Sequence, residues 1–344
     1  VVSSKSQSVK TNASIVSAIS GLVLALAVPA AGHAGDGFVG EWALTIPGGG
    51  AGCLEIMKDG AGYGGRLLWG GGSVLPLSSV KIEGDVLTVT RVREVKKKDA
   101  TGATKTEKIT DTITAEAKGD DLSLVLESPG PKGAVQRSEF LGKRQPPIPA
   151  KPDLSRTKFG EPIQLFNGKD LSGWRLVTEG AVNGWSVENG VLINRPVQEP
   201  GQPKKHYGNL RTEREFADFK ISLEVKVPEK GNSGVYLRGI YEVQVADSFG
   251  QPVDSHGMGG VYSRITPTSN PSKAPGEWQT MEITLVDRHV TVILNGTKII
   301  DNEPVPGCTG GALWSDVTRP GPIYLQGDHQ AVDYRNVVLT PVIR

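Results

Sequence analysis

Between Asn232 and Asp247 the chain carries Arg238, Glu242, Gln244 and Asp247 on what reads as one hairpin, a strand, a turn near Gly239 and a returning strand. Side chains alternate along a strand, so Val235 and Leu237 share one face and Tyr236 and Arg238 the other. On the return, Val243 and Val245 point one way and Glu242 and Gln244 the other. Arg238, Glu242 and Gln244 are therefore expected on one polar, concave face, which Asp247 joins if the strand bulges or ends there. A carboxylate, a guanidinium and an imidazole together can remove a proton, stabilise the oxyanion that forms and return a proton. Glu242 is expected as the base and Arg238 as the oxyanion stabiliser, with His329 or Asp247 as the acid. A divalent metal ion in place of Arg238 is the alternative Lewis acid. Asn232, Tyr236, Gln244, Tyr262, Lys273, Gln326 and Trp314 complete the candidate substrate-binding set.

Each of these residues also has a plainer reading. Arg238 and Glu242 can be a cross-strand ion pair, and His329, beside Asp328, a loop residue. Asp254 and His256 have the i,i+2 spacing of a metal site, yet two ligands do not make one. His256 lies in a Gly-rich stretch, residues 251–260, suited to a rim loop. Asn295 reads as a turn residue, and Trp278, within an alternating strand, as core. Trp314 is the better candidate for an exposed stacking surface. Cys53 and Cys308 read as free, partly buried thiols, since nothing beside either would activate a thiolate.

The elements that must hold these residues are strands. Among 344 residues there are 44 Gly, 23 Pro and only 2 Cys, with 38 Lys+Arg against 37 Asp+Glu. Near-zero net charge argues against a binder of nucleic-acid phosphates, and two cysteines make neither a disulfide scaffold nor a Cys-rich zinc site. Short Val/Ile/Leu/Thr runs separated by turns point to an all-β chain. Residues 143–152, KRQPPIPAKP, form an extended proline-rich spacer and the expected domain boundary. Residues 35–143 read as a small antiparallel barrel-like domain, with strands expected at 42–46, 54–57, 66–69, 80–82, 86–95, 109–117 and 122–127. Its Gly40-Glu41-Trp42 resembles the opening of lipocalin-like barrels. Lys96-Lys97-Lys98 is expected at a solvated hairpin tip. The linker runs over 144–159, and from 160 to 344 the strands alternate better. Residues 218–227 keep strict period two, and Asn295-Gly296 signals a type I′ turn. Two packed antiparallel sheets, a jelly-roll sandwich, is the expected second domain.

The second domain also carries a family resemblance in ordered motifs. Leu165-Phe166-Asn167-Gly168-Lys169-Asp170-Leu171-Ser172-Gly173-Trp174 opens it. Trp185-Ser186-Val187-Glu188-Asn189-Gly190, Asn232-Ser233-Gly234-Val235-Tyr236, Tyr241-Glu242-Val243-Gln244-Val245, Pro275-Gly276-Glu277-Trp278 and Leu325-Gln326-Gly327-Asp328-His329 follow. This series resembles the 3-keto-disaccharide hydrolase family over about residues 160–344. The resemblance implies a concanavalin A-like jelly roll acting on sugars with a ketone at C3. Such a ketone acidifies the C2 proton, so its removal, loss of the C1 substituent and addition of water cleave the glycosidic bond. Gln279 departs from the Asn common after the Trp of the Pro275-Gly276-Glu277-Trp278 motif, and residues 307–319 form a longer insertion that could reshape a rim. The Glu-x-Gln-x-x-Asp spacing also resembles the catalytic strand of laminarinase-type glucanases. Retaining hydrolysis needs two carboxyl groups about 5–5.5 Å apart, and Gln244 replaces the middle acid. The expected function is thus cleavage of 3-keto-glycosides, with a non-catalytic carbohydrate-binding module or a conventional glucanase as alternatives. No nucleic-acid partner and no membrane span of the mature chain are expected.

Residues 1–34 read as a leader peptide. Lys5 and Lys10 precede an apolar run over 13–28 that is shorter than a bilayer span, and Gly32-His33-Ala34 offers a cleavage site. Its removal takes two positive charges from +1 and leaves −1. A secreted or periplasmic location follows as the expectation.

Overall fold

The computed structural model describes residues 36–98, 103–130 and 134–343, together with Val1. The leader beyond Val1 and the tip at 99–102 lie outside the described residues. The first nine strands are β1 (Gly40–Thr45), β2 (Ala51–Asp59), β3 (Gly62–Trp69), β4 (Leu75–Pro76), β5 (Ser79–Glu83), β6 (Val86–Lys98), β7 (Thr104–Lys118), β8 (Asp121–Pro129) and β9 (Val135–Arg144). They form one antiparallel sheet in the order β4-β3-β2-β1-β9-β8-β7-β6-β5. Except for β4 and β5, each strand pairs with its neighbour in sequence, and β1 with β9 joins the two ends of the meander. Where pairing lapses between β4 and β5, Leu77 donates its N–H to Gly65 O at 2.9 Å, and Ser78 donates to Thr90 O at 2.8 Å. Consecutive residues thus bond to β3 and to β6, and the sheet curls into a barrel-like form. Trp42, Leu54, Leu87, Leu122 and Leu124 fill it. Trp42 donates its indole N–H to Phe38 O, and Arg144 lies 4.0 Å over its ring.

Two of these strands are not legible as alternation. In β9 only Phe140 and Gly142 are buried, and Leu141 faces solvent. Its partners β1 and β8, not its own pattern, make it a strand. β4 is two residues long.

Thirteen further strands follow. They are β10 (Ile163–Gln164), β11 (Trp174–Leu176), β12 (Trp185–Glu188), β13 (Val191–Asn194), β14 (Leu210–Thr212), β15 (Phe219–Lys226), β16 (Asn232–Leu237), β17 (Tyr241–Ala246), β18 (Gln279–Val286), β19 (His289–Leu294), β20 (Thr297–Pro304), β21 (Tyr324–Leu325) and β22 (Val332–Pro341). One sheet has the order β12-β13-β22-β15-β18-β19-β20, with β10 on β22, and the other β11-β14-β21-β16-β17. The fold is all-β, a barrel-like sheet followed by a concanavalin A-like jelly roll. Phe219, Ile221, Leu223 and Val225 of β15 point inward, meeting Val235, Leu237, Val243 and Val245 of the smaller sheet in one core. Asn295 adopts φ 51° and Gly296 φ 80°, the turn that their dipeptide signals.

Ala51, Cys53, Leu68 and Val74 of the barrel half belong to the sandwich core as well. The proline run lies against the jelly roll: Pro146 O accepts from Arg288 at 2.7 Å and Pro152 O from Asn302 at 2.8 Å. Trp278 is not core. It is half-buried with Lys226 and Arg335 4.9 and 4.1 Å from its ring centroid, because period two at the start of β18 turns it outward. Gln279 is the buried neighbour, bonding Lys273 N–H and Asn295 Nδ2 through its Oε1. Both cysteines are buried and free, and burial pushes the Cys308 thiol up to about 11.

Candidate active site

The face of the smaller sheet turned away from the sandwich core carries Tyr236 of β16, Glu242 and Gln244 of β17, and Tyr324 of β21. The register pairs Tyr236 with both Glu242 and Tyr324, which sets the three side by side. The loop after β21 continues the same period with Gln326 and Asp328. These residues, with Asn209, Asn232, Tyr262 and His329, line a polar cavity of about 230 Å³. Gly310 and Gly311 from the insertion, and Gly71 and Gly72 from the barrel, complete its wall.

Glu242 is 3% exposed. Gly234 pairs with Gln244 and lies diagonally beside Glu242, and a Cβ there would collide with Glu242 Oε1, so only glycine leaves the carboxyl its seat. Tyr236 stacks on Tyr324 with centroids 3.8 Å apart. The Tyr236 hydroxyl lies 2.8 Å from Glu242 Oε2 and 2.7 Å from Gly310 O. A phenol has one proton and a carbonyl has none, so both contacts are hydrogen bonds together only when Glu242 brings a proton of its own. Burial, against the lowering effect of the Tyr236 hydrogen bond and with a smaller push from Asp328, raises the Glu242 carboxyl to about 8. Burial thus favours the protonated carboxyl near neutral pH, which suits Glu242 better as a proton donor than as the expected resting base. Its desolvation comes from elements far away in sequence.

His329 holds Nδ1 2.7 Å from Asp328 Oδ1. That hydrogen bond raises the imidazole pKa from its ordinary value, ahead of an opposing effect of burial. With Nδ1–H given to the carboxylate, the neutral ring presents a bare Nε2. Two buried amide oxygens, Gln244 Oε1 and Gln326 Oε1, have no hydrogen-bond partner. Gln244 Nε2 donates to Asn232 Oδ1 at 2.8 Å, which leaves the Asn232 amide hydrogens for a ligand. Orphaned acceptors beside free donors suit a ligand rich in hydroxyl groups.

Four expected site residues lie elsewhere. Arg238 sits in the turn with φ 54°, which ends the alternation. Its guanidinium donates to Val317 O and to Arg319 O, the latter at 2.7 Å, and is 5% exposed with no place in the cavity. It therefore neither stabilises an oxyanion nor pairs with Glu242. Asp247 caps a turn, its Oδ2 accepting from Lys230 N–H at 2.9 Å. Lys273 donates Nζ to Trp278 O at 3.0 Å, on the outer side of the larger sheet. Trp314 is half-buried against the sandwich core with Arg319 3.7 Å over its ring, so it is no free stacking surface. Arg238→Ala is expected to cost about 1–3 kcal/mol of stability through unsatisfied carbonyls while leaving kcat within about twofold. Thermal denaturation and kinetics on one preparation check this, and a loss of kcat without a loss of stability would contradict it.

Asn232, Tyr236, Gln244, Tyr262, Gln326, Glu242 and His329 are brought together as expected. The sequence reading missed Tyr324, Asn209 and the four wall glycines. Tyr324 was legible, two residues before Gln326 on the same face. Gly71 and Gly72 carry no such signal, because only the barrel's docking brings them here. The 307–319 segment reaches the rim through Gly310, which packs so tightly on Gly72 that a Cβ would collide with its carbonyl oxygen. Among the described residues no three His, Cys, Asp or Glu side chains are grouped to ligate a metal ion.

The profile of the 3-keto-alpha-glucoside-1,2-lyase-like domain matches residues 161–340. A Parabacteroides distasonis protein provisionally designated a glycosyl hydrolase is 33% identical, with 53% of this chain and 84% of that one covered and a TM-score of 0.43. β-Agarase B of Zobellia galactanivorans is 12% identical, covering 57% and 98% at a TM-score of 0.36. The carbohydrate-binding module CBM66 of Bacillus subtilis is 11% identical, covering 48% and 93% at 0.32. No curated protein matches the chain.

Proposed function

We propose a function from the premise that this chain belongs to the 3-keto-alpha-glucoside-1,2-lyase-like domain family: it cleaves the glycosidic bond of 3-keto-glycosides by elimination and hydration. The observation that carries this reading is a buried carboxyl, Glu242, whose burial favours its protonated form, sharing one small polar cavity with the Asp328-held imidazole of His329. A non-catalytic binding module has no use for such a carboxyl, whose burial costs stability.

His329 Nε2 takes the C2 proton, and the electron pair moves onto the C3 oxygen. Asn232 and the Tyr262 hydroxyl supply hydrogen-bond donors for that enolate oxygen. The pair then returns to form the C1–C2 double bond as the C1–O bond breaks, and Glu242 gives its proton to the departing oxygen. Water adds across the double bond, hydroxyl to C1 and proton to C2, and restores the 3-keto sugar. Gln244 and Gln326 accept from the sugar hydroxyls through their unpartnered oxygens. A divalent cation is not needed to balance these steps. Export by the leader peptide is part of the same proposal, since it would meet extracellular glycosides, and fractionation of expressing cells tests it.

The decisive experiment is cleavage of a 3-keto-glucoside in D2O. One deuterium at C2 of the released sugar is expected, and release without C2 exchange would overturn the mechanism. Unoxidised glucosides in the same assay test for a conventional glycosidase.

The pH profile of kcat/KM should be a narrow bell. His329 works unprotonated, so activity rises with pH through a value above 6.5. Glu242 works protonated, so activity falls with a midpoint near 8. A flat profile from pH 6 to 9 would contradict these roles.

A further inference from the structure

The reaction above leaves unused a cluster where the barrel meets the rim loop of the jelly roll. Ser73 follows three glycines after β3, and its Oγ lies 2.9 Å from His256 Nε2, a residue 183 positions away. His256 Nδ1 lies 2.7 Å from Asp254 Oδ1, and the same oxygen accepts the His256 backbone N–H at 2.7 Å. Tyr262 sets its ring edge-on to the imidazole at 4.7 Å, so the ring is held from the side as well as from behind. The residue after the serine is anchored: Val74 N–H donates to Ser263 Oγ at 2.9 Å. Hydroxyl, imidazole and carboxylate in one hydrogen-bonded chain are a nucleophile, its base and the group that orients the base.

The surroundings say what such a nucleophile would meet. Gly71 and Gly72 form a wall of the Glu242 cavity on one side. They also line a second cavity of about 550 Å³, with Ser73, Leu67, Trp69, Leu75 and Pro76 and the two arginines Arg91 and Arg93. Ser73 therefore lines the larger cavity, part apolar and part cationic, and follows directly the glycines that wall the polar, sugar-sized one.

We propose that Ser73, His256 and Asp254 form a second catalytic site, a serine esterase site that removes an O-linked acyl group from a carbohydrate. The identity of the alcohol as a sugar rests on the reading given above; the ester chemistry does not. Ser73 Oγ attacks the ester carbonyl carbon while its proton passes to His256 Nε2, and the C–O bond to the sugar breaks as that proton goes to the departing oxygen. The acyl-serine is then hydrolysed by water, which gives its proton to His256 and its oxygen to the released carboxylic acid, and the proton returns to Ser73. The acyl chain would pack on Leu67, Leu75 and Pro76 in the larger cavity and the sugar would enter the polar one.

Incubation of the full chain with a fluorophosphonate probe, with mass spectrometry of the peptides, tests this directly. An adduct on Ser73 is expected, absent in Ser73→Ala and formed about 10³-fold or more slowly in His256→Ala. Asp254→Asn, which keeps the side chain's size, should slow it about 10⁴-fold by favouring the wrong tautomer. 4-Nitrophenyl butyrate hydrolysis should fall in parallel. Circular dichroism establishes that each variant is folded. No Ser73 adduct on the folded wild type, or an undiminished adduct in His256→Ala, would overturn the proposal. Cleavage of a 3-keto-glucoside is measured on the same preparation. Cleavage without a Ser73 adduct refutes the esterase alone, and an adduct without cleavage refutes the elimination reading alone.

Discussion

Glu242→Gln is expected to lower turnover of a 3-keto-glycoside by about 10²–10⁴-fold, the usual worth of a positioned proton donor. Gln is nearly isosteric and keeps a polar contact with Tyr236, but it has no acidic proton for the departing oxygen. It is also neutral, as the protonated carboxyl is, so the cavity needs no rearrangement around it. Sugar binding is expected to survive, and the residual activity should lose its alkaline limb near pH 8, because the group that titrates there is gone. Steady-state kinetics across pH 6–9, with calorimetry for binding, check each part. Undiminished turnover would remove Glu242 from the chemistry. A loss confined to KM would make it a binding residue only.

Arg264→Ala is expected to destabilise the protein by about 3–5 kcal/mol, because it strands a buried carboxylate. Arg264 NH1 lies 2.6 Å from Glu55 Oε1, with their side chains only 1% and 7% exposed. Arg264 Nε also donates to Cys308 O at 2.8 Å. Glu55 is on β2 of the barrel and Arg264 on the rim of the jelly roll, so this pair joins the two. The more exposed Arg66, 3.7 Å from Glu55, cannot replace it. A fall in Tm on the order of 10 °C follows for a chain of this size. Replacing both partners together, Glu55→Leu with Arg264→Met, should recover much of the loss, since no charge is then left unpaired. A single-variant Tm within about 2 °C of wild type would show that the pair contributes little. The functional consequence is specific. The same interface carries Gly71 and Gly72 to the cavity wall, so a loosened barrel should raise KM before it lowers kcat.

Much of this molecule was legible before any coordinates. Period two in 218–227 and in the hairpin over 232–247 assigned the strands and their apolar faces, and it placed Tyr236, Glu242 and Gln244 together, because side-chain direction in a strand is a local property. The family motifs, including Gln326 and His329, were equally local. What alternation could not decide was the end of each rule. Arg238 continues the pattern on paper, yet its left-handed φ turns the guanidinium to carbonyls 79 and 81 residues downstream. The structure likewise takes Asp247, Lys273 and Trp314 out of the site through contacts to backbone or to a neighbouring cation. Strand β9 has no apolar period of its own and exists because β1 and β8 offer it edges. Above all, the protonation state of Glu242 was not in its spacing. Residue type and strand position put a carboxyl on that face, but its preference for a proton comes from burial, completed by the 310–311 glycines and a barrel that begins some two hundred residues earlier. Burial is a property of the packed chain, and so the acid in this site belongs to the tertiary structure alone.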